Sequence, residues 1–204
     1  ALNAASGAVV WDVEVFQQGA DAPKPHSKNG HASPTPVVEG DVVYAHFGHM
    51  GTAALGAKDG AKVWATRELA YKPVHGNGGS PVVAGPHLVF SIVALDKATG
   101  KVAWQTPRNN PGVKPFSFST PALITVNRAE QLVSAGSGVV MGLDPKTGKE
   151  FWRATYGGGY SLVPKPVFAN GLVYVCTGYD SPTLVAIKPD GKGDVTATHV
   201  AFTV

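Results

Sequence analysis

The sequence is poor in charged residues, in cysteine and in long apolar runs, and each shortage narrows the classes of protein it can represent. Charged residues make up 15% of the 204 residues, below the roughly 25% typical of soluble domains, and lysine and arginine never cluster as a nucleic-acid surface requires. The single cysteine excludes a disulfide framework within the chain. No apolar run approaches the roughly 18 residues of a membrane-spanning helix. We therefore expect neither nucleic acid as a partner nor a membrane span.

Helical periodicity is also missing, which favours an all-β fold. The 25 glycines and 16 prolines interrupt the chain too often for long helices. Short apolar runs bounded by turn-forming residues, such as residues 42–44 and 172–175, are typical of strands. Cys176 follows one of these runs and is predicted to be a small buried side chain.

A hairpin pattern recurs along the chain. An apolar residue and a turn residue are followed by Thr, Ser or Asp, then Gly, and a tryptophan four residues after the glycine. The four copies contain Gly7 and Trp11, Gly60 and Trp64, Gly100 and Trp104, and Gly148 and Trp152. A degenerate fifth copy has Gly191, with Phe202 in place of the tryptophan.

The residue types of this pattern have a structural explanation. Asp96 and Asp144 can accept hydrogen bonds from nearby backbone N–H groups, and the glycine supplies the positive φ that closes the turn. The tryptophan then offers a large apolar face to a neighbouring unit. Because the aspartates recur at turn positions, we predict structural roles for them and no carboxylate catalysis.

A second element lies between the hairpins and adds two strands to each period. It consists of a residue before proline, an apolar strand, a turn and another apolar strand, and it begins at Thr35, Ser80, Thr120 and Lys165. The tryptophans at 11, 64, 104 and 152 are 53, 40 and 48 residues apart. Four antiparallel strands recurring at this interval predict β-propeller blades. The predicted blades are residues 1–11 (the last two strands only), 33–64, 78–104, 118–152 and 163–204, in one domain spanning 1–204.

Segments 94–104 and 142–152 closely resemble the tryptophan-docking hairpin of the PQQ-like β-propeller repeat family. The resemblance implies a ring of seven or eight blades, which needs roughly 315 to 360 residues at about 45 per blade. Four blades and a half do not close such a ring. We therefore expect further blades in the natural protein, or blades supplied by another chain.

The short spacing between Trp64 and Trp104 has a local cause. Around Ser91 and Ile92 the second strand of the blade runs into the third without turn residues. The sequence therefore predicts either a deletion or a missing stretch at this point.

The resemblance also places a candidate site. In the family, the first strand of each blade lines the central channel, and the segments before those strands form one rim. Candidate residues for a protein partner or a small polar ligand on this rim are His31, Asn29, His75, Asn77, Phe118 and Tyr160. His46 and His49 follow a strand, lack a nearby Asp, Glu or Cys, and are predicted to be loop histidines with no metal.

The functional expectation is a non-catalytic binding or scaffold module, periplasmic or secreted by resemblance, although no signal-peptide pattern opens the chain. One alternative is a quinoprotein dehydrogenase using PQQ and Ca²⁺. With one cysteine the chain cannot form that group's adjacent-cysteine disulfide, and no base or calcium ligand maps onto it, so we predict no cofactor. A second alternative is a hydrolase whose site uses the rim histidines.

Overall fold

The computed structural model describes residues 1–22, 26–27, 30–69, 75–76, 78–109, 114 and 116–204, and it is an all-β protein. Four antiparallel sheets follow one another along the chain. An irregular hairpin precedes them, closed by a bridge between Leu2 and Val9.

Sheets 1 and 2 have the same four-stranded order, with strands adjacent in sequence also adjacent in space. Sheet 1 contains β1 (Val37–Glu39), β2 (Val42–His46), β3 (Thr52–Gly56) and β4 (Lys62–Thr66). Sheet 2 contains β5 (Val82–Ala84), β6 (His87–Phe90), β7 (Val93–Asp96) and β8 (Val102–Gln105). A short 3₁₀ turn, Gly48–Met50, joins β2 to β3.

Sheets 3 and 4 repeat this order with one addition. Sheet 3 contains β9 (Ala122–Val126), β10 (Ala129–Gly136), β11 (Val139–Leu143) and β12 (Glu150–Thr155). Sheet 4 contains β13 (Val167–Ala169), β14 (Leu172–Cys176), β15 (Leu184–Ile187) and β17 (Val200–Thr203). Between the last two strands lie β16 (Gly193–Asp194), which pairs in parallel with β12, and the four-residue helix α1 (Thr196–His199). Sheet 3 thereby gains a fifth strand from its neighbour.

The apolar core lies between successive sheets rather than inside any one of them. One cluster joins Tyr44 and Ala54 of sheet 1 to Leu88 and Leu95 of sheet 2. Two further clusters join sheet 2 to sheet 3 and sheet 3 to sheet 4. A sheet packed on both faces needs apolar residues at consecutive positions, which explains why all five residues of β11 are buried.

The predicted hairpin geometry is present in the turns. Gly7, Gly60, Gly100 and Gly148 have φ of +71°, +71°, +72° and +71°, a region that favours glycine. The Asp96 carboxylate accepts hydrogen bonds from the backbone N–H and the hydroxyl of Thr99 at 2.9 and 2.7 Å. Asp144 accepts one from the Lys146 backbone N–H at 2.7 Å.

Four of the five aromatic residues of the hairpin repeat occupy one register position, opposite a small residue and beside a β-bulge. The pairs are Ala54 with Trp64, Ala94 with Trp104, Gly142 with Trp152, and Ala186 with Phe202. Phe202 therefore takes the place of a fifth tryptophan, as the degenerate repeat predicts.

The first two indoles reach the turn of the following sheet. Trp11 Nε1 donates to the Ala57 carbonyl at 2.9 Å, and Trp64 Nε1 donates to the Lys97 carbonyl at 2.7 Å. A Cβ on Gly100 would lie 2.5 Å from the Trp64 ring, so only glycine permits this approach.

The third and fourth indoles are held differently. Trp104 packs on Gly148. By analogy with the first two indoles, its N–H would donate to the Pro145 carbonyl. That carbonyl lies 3.1 Å from His87 Nδ1 instead. Trp152 Nε1 donates to Gln131 Oε1 at 2.8 Å, and Gln131 Nε2 donates to the Pro189 carbonyl at 3.1 Å. The Gln131 amide thus connects Trp152 to sheet 4.

Replacing Gln131 by leucine should lower the free energy of unfolding by about 2 kcal/mol, because it leaves the Trp152 N–H and the Pro189 carbonyl without this partner in a buried place. Urea denaturation followed by circular dichroism measures the change. Gln105→Leu is the matched control, since Gln105 is exposed on β8 and should change little. Equal effects of the two substitutions would contradict the bridging role.

The prediction for Cys176 is wrong, and the second and third strands of sheet 2 are joined by a turn that the sequence pattern did not reveal. Cys176 is exposed at the end of β14, because the alternation along that strand turns it away from the core. Ser91 and Ile92 form a two-residue turn, with Phe90 paired to Val93 and Ser91 at φ +52°. The sequence did not indicate this turn because it contains no glycine, although serine can adopt the positive φ that the turn requires.

Candidate functional site

Two kinds of connection meet at one end of the molecule. Because the four strands of each sheet alternate in direction, the link from the second to the third strand and the link to the next sheet leave from the same end. The structure joins two such links directly: the Tyr179 N–H donates to the Tyr160 carbonyl at 2.8 Å, and the two residues form an antiparallel bridge. We call this end the upper end, and the predicted rim lies on it.

Hydrogen bonds between successive sheets fix the segments before the first strands. The Thr35 N–H donates to Ser80 Oγ at 2.9 Å, and the Ser80 N–H donates to Thr120 Oγ1 at 3.0 Å. At the next position, where Lys165 has no hydroxyl, Ser119 Oγ donates to the Pro164 carbonyl at 2.8 Å. The residues before Pro36, Pro81 and Pro121 therefore link neighbouring sheets where the rim begins.

Four of the six predicted rim residues can be placed. Asn29 and Asn77 lie outside the described residues. His75, Phe118 and Tyr160 belong to one connected group of rings, whereas His31 lies against His49, with 5.7 Å between ring centroids. His31 and His75 both precede the first strand of a sheet, but their ring contacts differ.

The connected rings lie one after another across the upper end, and we call this group of rings the aromatic arc. Its members are His26, His75, Phe116, Phe118, Tyr160 and Tyr179. Neighbouring ring centroids are 5.0 to 6.1 Å apart, the range in which aromatic pairs attract one another. His75 and Tyr179 are exposed, and the other four rings are partly buried. The sequence identified His75, Phe118 and Tyr160 as rim candidates. It gave no indication of His26 or Tyr179, and it did not show that the Phe116 ring contacts the others.

A cation and a carboxylate flank the arc at Tyr160. Lys114 Nζ lies 3.8 Å from the centroid of the Tyr160 ring and 3.9 Å from an oxygen of Asp180. Hydrogen bonding to Tyr160, more than the nearby charges, raises the pKa of Lys114. This end of the arc can therefore offer both charges to a ligand.

The histidines after β2 differ from the prediction in one case. His46 is 6% exposed, its Nδ1 lies 2.9 Å from Thr52 Oγ1, and its ring centroid is 4.4 Å from that of Phe90. Burial lowers its pKa to about 4, so it is a core residue and not a loop histidine. His49 does lie in the loop, where burial and then the charge of His31 lower its pKa.

Arg108 is a residue of the upper end that sequence inspection missed. It follows β8, and its guanidinium lies between sheets 2 and 3, where Nη2 donates to Ser91 Oγ at 2.7 Å and to Ser134 Oγ at 2.9 Å. Burial lowers its pKa to about 10. One arginine in a proline-rich loop carries no sequence signal that separates it from the others.

Within the described ranges, no group of three or more His, Cys, Asp or Glu side chains gathers in a way that could hold a metal ion. A cavity of about 330 Å³ lies at the opposite end, between sheets 3 and 4, and contains none of the predicted rim residues. Among the described residues, no helix is long and apolar enough to cross a membrane.

Comparison with protein families identifies one match, which covers residues 1–199 and is described as outer membrane protein assembly factor BamB. No curated protein matches the chain.

Solved structures share the fold at low sequence identity. BamB from Moraxella catarrhalis is 18% identical with a TM-score of 0.52, covering 72% of this chain and 46% of its own. The quinohemoprotein alcohol dehydrogenase ADHIIG from Pseudomonas putida HK5 is 18% identical with a TM-score of 0.61, covering 84% and 34%. The quinohemoprotein alcohol dehydrogenase from Comamonas testosteroni is 17% identical with a TM-score of 0.61, covering 85% and 34%. The chain thus spans less than half the length of each of these proteins, and the likeness shows a β-propeller fold.

Proposed function

The chain belongs to the PQQ-like repeat family described as outer membrane protein assembly factor BamB, and from this premise we propose that it is a non-catalytic binding module whose aromatic arc holds a polypeptide of a partner protein. We propose further that it works in the periplasm or outside the cell, in keeping with the family's description. The four sheets are blades that hold the arc rigid and have no chemical role.

The continuity of the aromatic arc is the observation that carries this proposal. Rings contributed by five separate connections lie in contact along one end of the molecule, and Tyr179 is 69% exposed. Aromatic side chains give large contact areas with few rotatable bonds, which is why they dominate the energetics of protein interfaces.

The charges around the arc favour a polypeptide as its occupant. Lys114 and Asp180 stand together beside Tyr160, so the surface can pair with either sign of charge. A nucleic acid would instead require a cationic stripe. A small polar ligand is expected to contact one ring and not the whole aromatic arc.

The chemistry of the dehydrogenases is not part of this proposal. The structural likeness to them is a likeness of fold at 17–18% identity. We derive no reaction step for PQQ, calcium or a hydrolytic site from this likeness.

Selection from a random 12-residue peptide library, followed by fluorescence anisotropy with the selected peptides, tests the proposal. We expect aromatic-rich peptides to be enriched, and Tyr160→Ala and Tyr179→Ala each to weaken their binding by about tenfold. Phe168→Ser is the control, because Phe168 lies at the opposite end of the molecule. Peptides whose affinity is unchanged by both tyrosine substitutions, or lowered equally by the control, would refute a role for the arc.

A further inference from the structure

Arg108 is a desolvated cation whose recorded hydrogen-bond partners are all neutral. Nη2 donates to the hydroxyls of Ser91 and Ser134 and, at 3.4 Å, to the Ala135 carbonyl, while Nη1 donates to the Ser134 carbonyl at 3.3 Å. Hydroxyl and carbonyl oxygens solvate a guanidinium but do not neutralise it. A buried charge is costly unless an opposite charge accompanies it.

In the part of the chain that the structure describes, no carboxylate forms an ion pair with this guanidinium. All 14 aspartates and glutamates fall within the described ranges, and the ion pairs found there involve Lys97, Lys114, Arg153 and His199. Arg153 shows the usual arrangement, since its Nε donates to Glu150 Oε1 at 2.7 Å. Arg108 differs from it in lacking a carboxylate.

One donor of Arg108 remains open. No acceptor for Nε is found among the described residues. Arg108 as a whole, backbone included, is partly exposed at this end of the molecule. Within the described ranges the guanidinium therefore keeps one N–H without an acceptor, while its two terminal nitrogens are fixed to sheets 2 and 3.

This charge lies beside the aromatic arc. Ser117 Oγ donates to the Ala135 carbonyl at 2.9 Å, and the same carbonyl accepts from Arg108. Ser117 stands between Phe116 and Phe118, two members of the arc. Tyr156, whose hydroxyl donates to the Gly136 carbonyl at 2.6 Å, lines the same place.

We propose that Arg108 is an anion-binding site that takes a carboxylate of the partner polypeptide held by the aromatic arc. The bound carboxylate supplies a counter-ion and accepts a charge-assisted hydrogen bond from Nε. The identity of the ligand as part of the same polypeptide rests on the proposed function, whereas the anion site itself does not.

A carboxylate suits this place better than a phosphate. The carbonyl oxygens of Ser134 and Ala135 lie against the guanidinium and repel a second negative charge. A carboxylate carries one charge and can approach a single open N–H, so the occupant is an acidic side chain or a C-terminus.

Titration with acetate tests the anion site without reference to the arc. The probe is the ¹⁵N–¹H signal of Arg108 Nε, identified by its loss in Arg108→Lys. We expect a saturable shift with acetate, a smaller one with phosphate and none with chloride at equal ionic strength. The Nε signal of Arg153, which Glu150 already occupies, should not move. Equal responses to acetate and chloride, or a stronger response to phosphate, would overturn the assignment.

Two peptides that differ by one residue test whether the Arg108 site and the aromatic arc bind the same polypeptide. Acetyl-Phe-Asp-Phe-amide should bind about tenfold more tightly than acetyl-Phe-Asn-Phe-amide, and Arg108→Gln should remove that ratio. If Arg108→Gln fails to fold, Gly136→Ala serves instead, since its Cβ would lie 2.4 Å from the guanidinium carbon and displace it.

The two proposals fail in different ways. Tyr160→Ala should weaken both peptides equally and leave their ratio unchanged. Equal binding of the two peptides by the unaltered protein overturns the carboxylate site but leaves the aromatic arc as a binding surface. Binding of neither peptide, with a saturable acetate shift at Arg108 Nε, overturns the arc as a peptide-binding surface and leaves the anion site; binding of neither peptide without that shift overturns both.

Discussion

Replacing Trp152 by alanine lowers the free energy of unfolding by about 4 kcal/mol, the largest effect we expect from any single substitution in the chain. Trp152 is 0% exposed and lies in the cluster that joins sheets 3 and 4. Truncating a fully buried indole removes its apolar burial and leaves a cavity, which together cost about 3–5 kcal/mol. The substitution also strands the Gln131 amide oxygen, its hydrogen-bond partner.

Trp11→Ala is the matched control, because Trp11 occupies the equivalent place in the first repeat but is partly exposed. We expect it to cost about 1 kcal/mol and to loosen only the N-terminal hairpin. Urea denaturation followed by circular dichroism measures both variants. Similar losses for the two tryptophans would show that stability does not follow their burial, and a loss below 1 kcal/mol for Trp152→Ala would contradict its place in the core.

Acidification from pH 6.5 to pH 4 should lower the free energy of unfolding by about 3 kcal/mol through His46 alone. Burial lowers the pKa of His46 in the folded protein from 6.5 to about 4. Between these values the unfolded chain binds a proton at residue 46 and the folded protein does not, so acid favours unfolding by about 1.4 kcal/mol per pH unit. Above pH 6.5 neither state is protonated there, and the effect vanishes.

His46→Gln removes the titrating group while keeping a polar side chain that can reach Thr52. Urea denaturation at a series of pH values should show that this variant loses about 3 kcal/mol less than the unaltered protein on going to pH 4. Gln105→Leu, on the exposed side of β8, should keep the original pH dependence. An unchanged acid response in His46→Gln would mean that the buried imidazole does not control it.

Features encoded within about ten residues were predictable from the sequence. The hairpin repeat gave the positive φ of Gly100 and Gly148, the hydrogen bonds of Asp96, and the substitution of Phe202 for a tryptophan. These features depend on contacts between near neighbours, so a local pattern contains the information that determines them.

Features that depend on what lies across a sheet interface were missed. The sequence predicts His46 as a loop residue, but Phe90 of the next sheet packs against it and it is buried. The sequence predicts Cys176 as buried, but the alternation along its strand turns it outward. Arg108 is ordinary in sequence, and its burial arises from sheets 2 and 3 closing around it.

The sequence by itself determined the repeat, its turns and the succession of four-stranded sheets, because hairpins form between segments that are adjacent along the chain. Only the tertiary structure decided which side chains of different sheets meet: the rings of the aromatic arc, the Gln131 bridge and the solitary charge of Arg108. Those contacts join residues up to 58 positions apart, such as Gln131 and Pro189, and no local pattern records a partner at that distance.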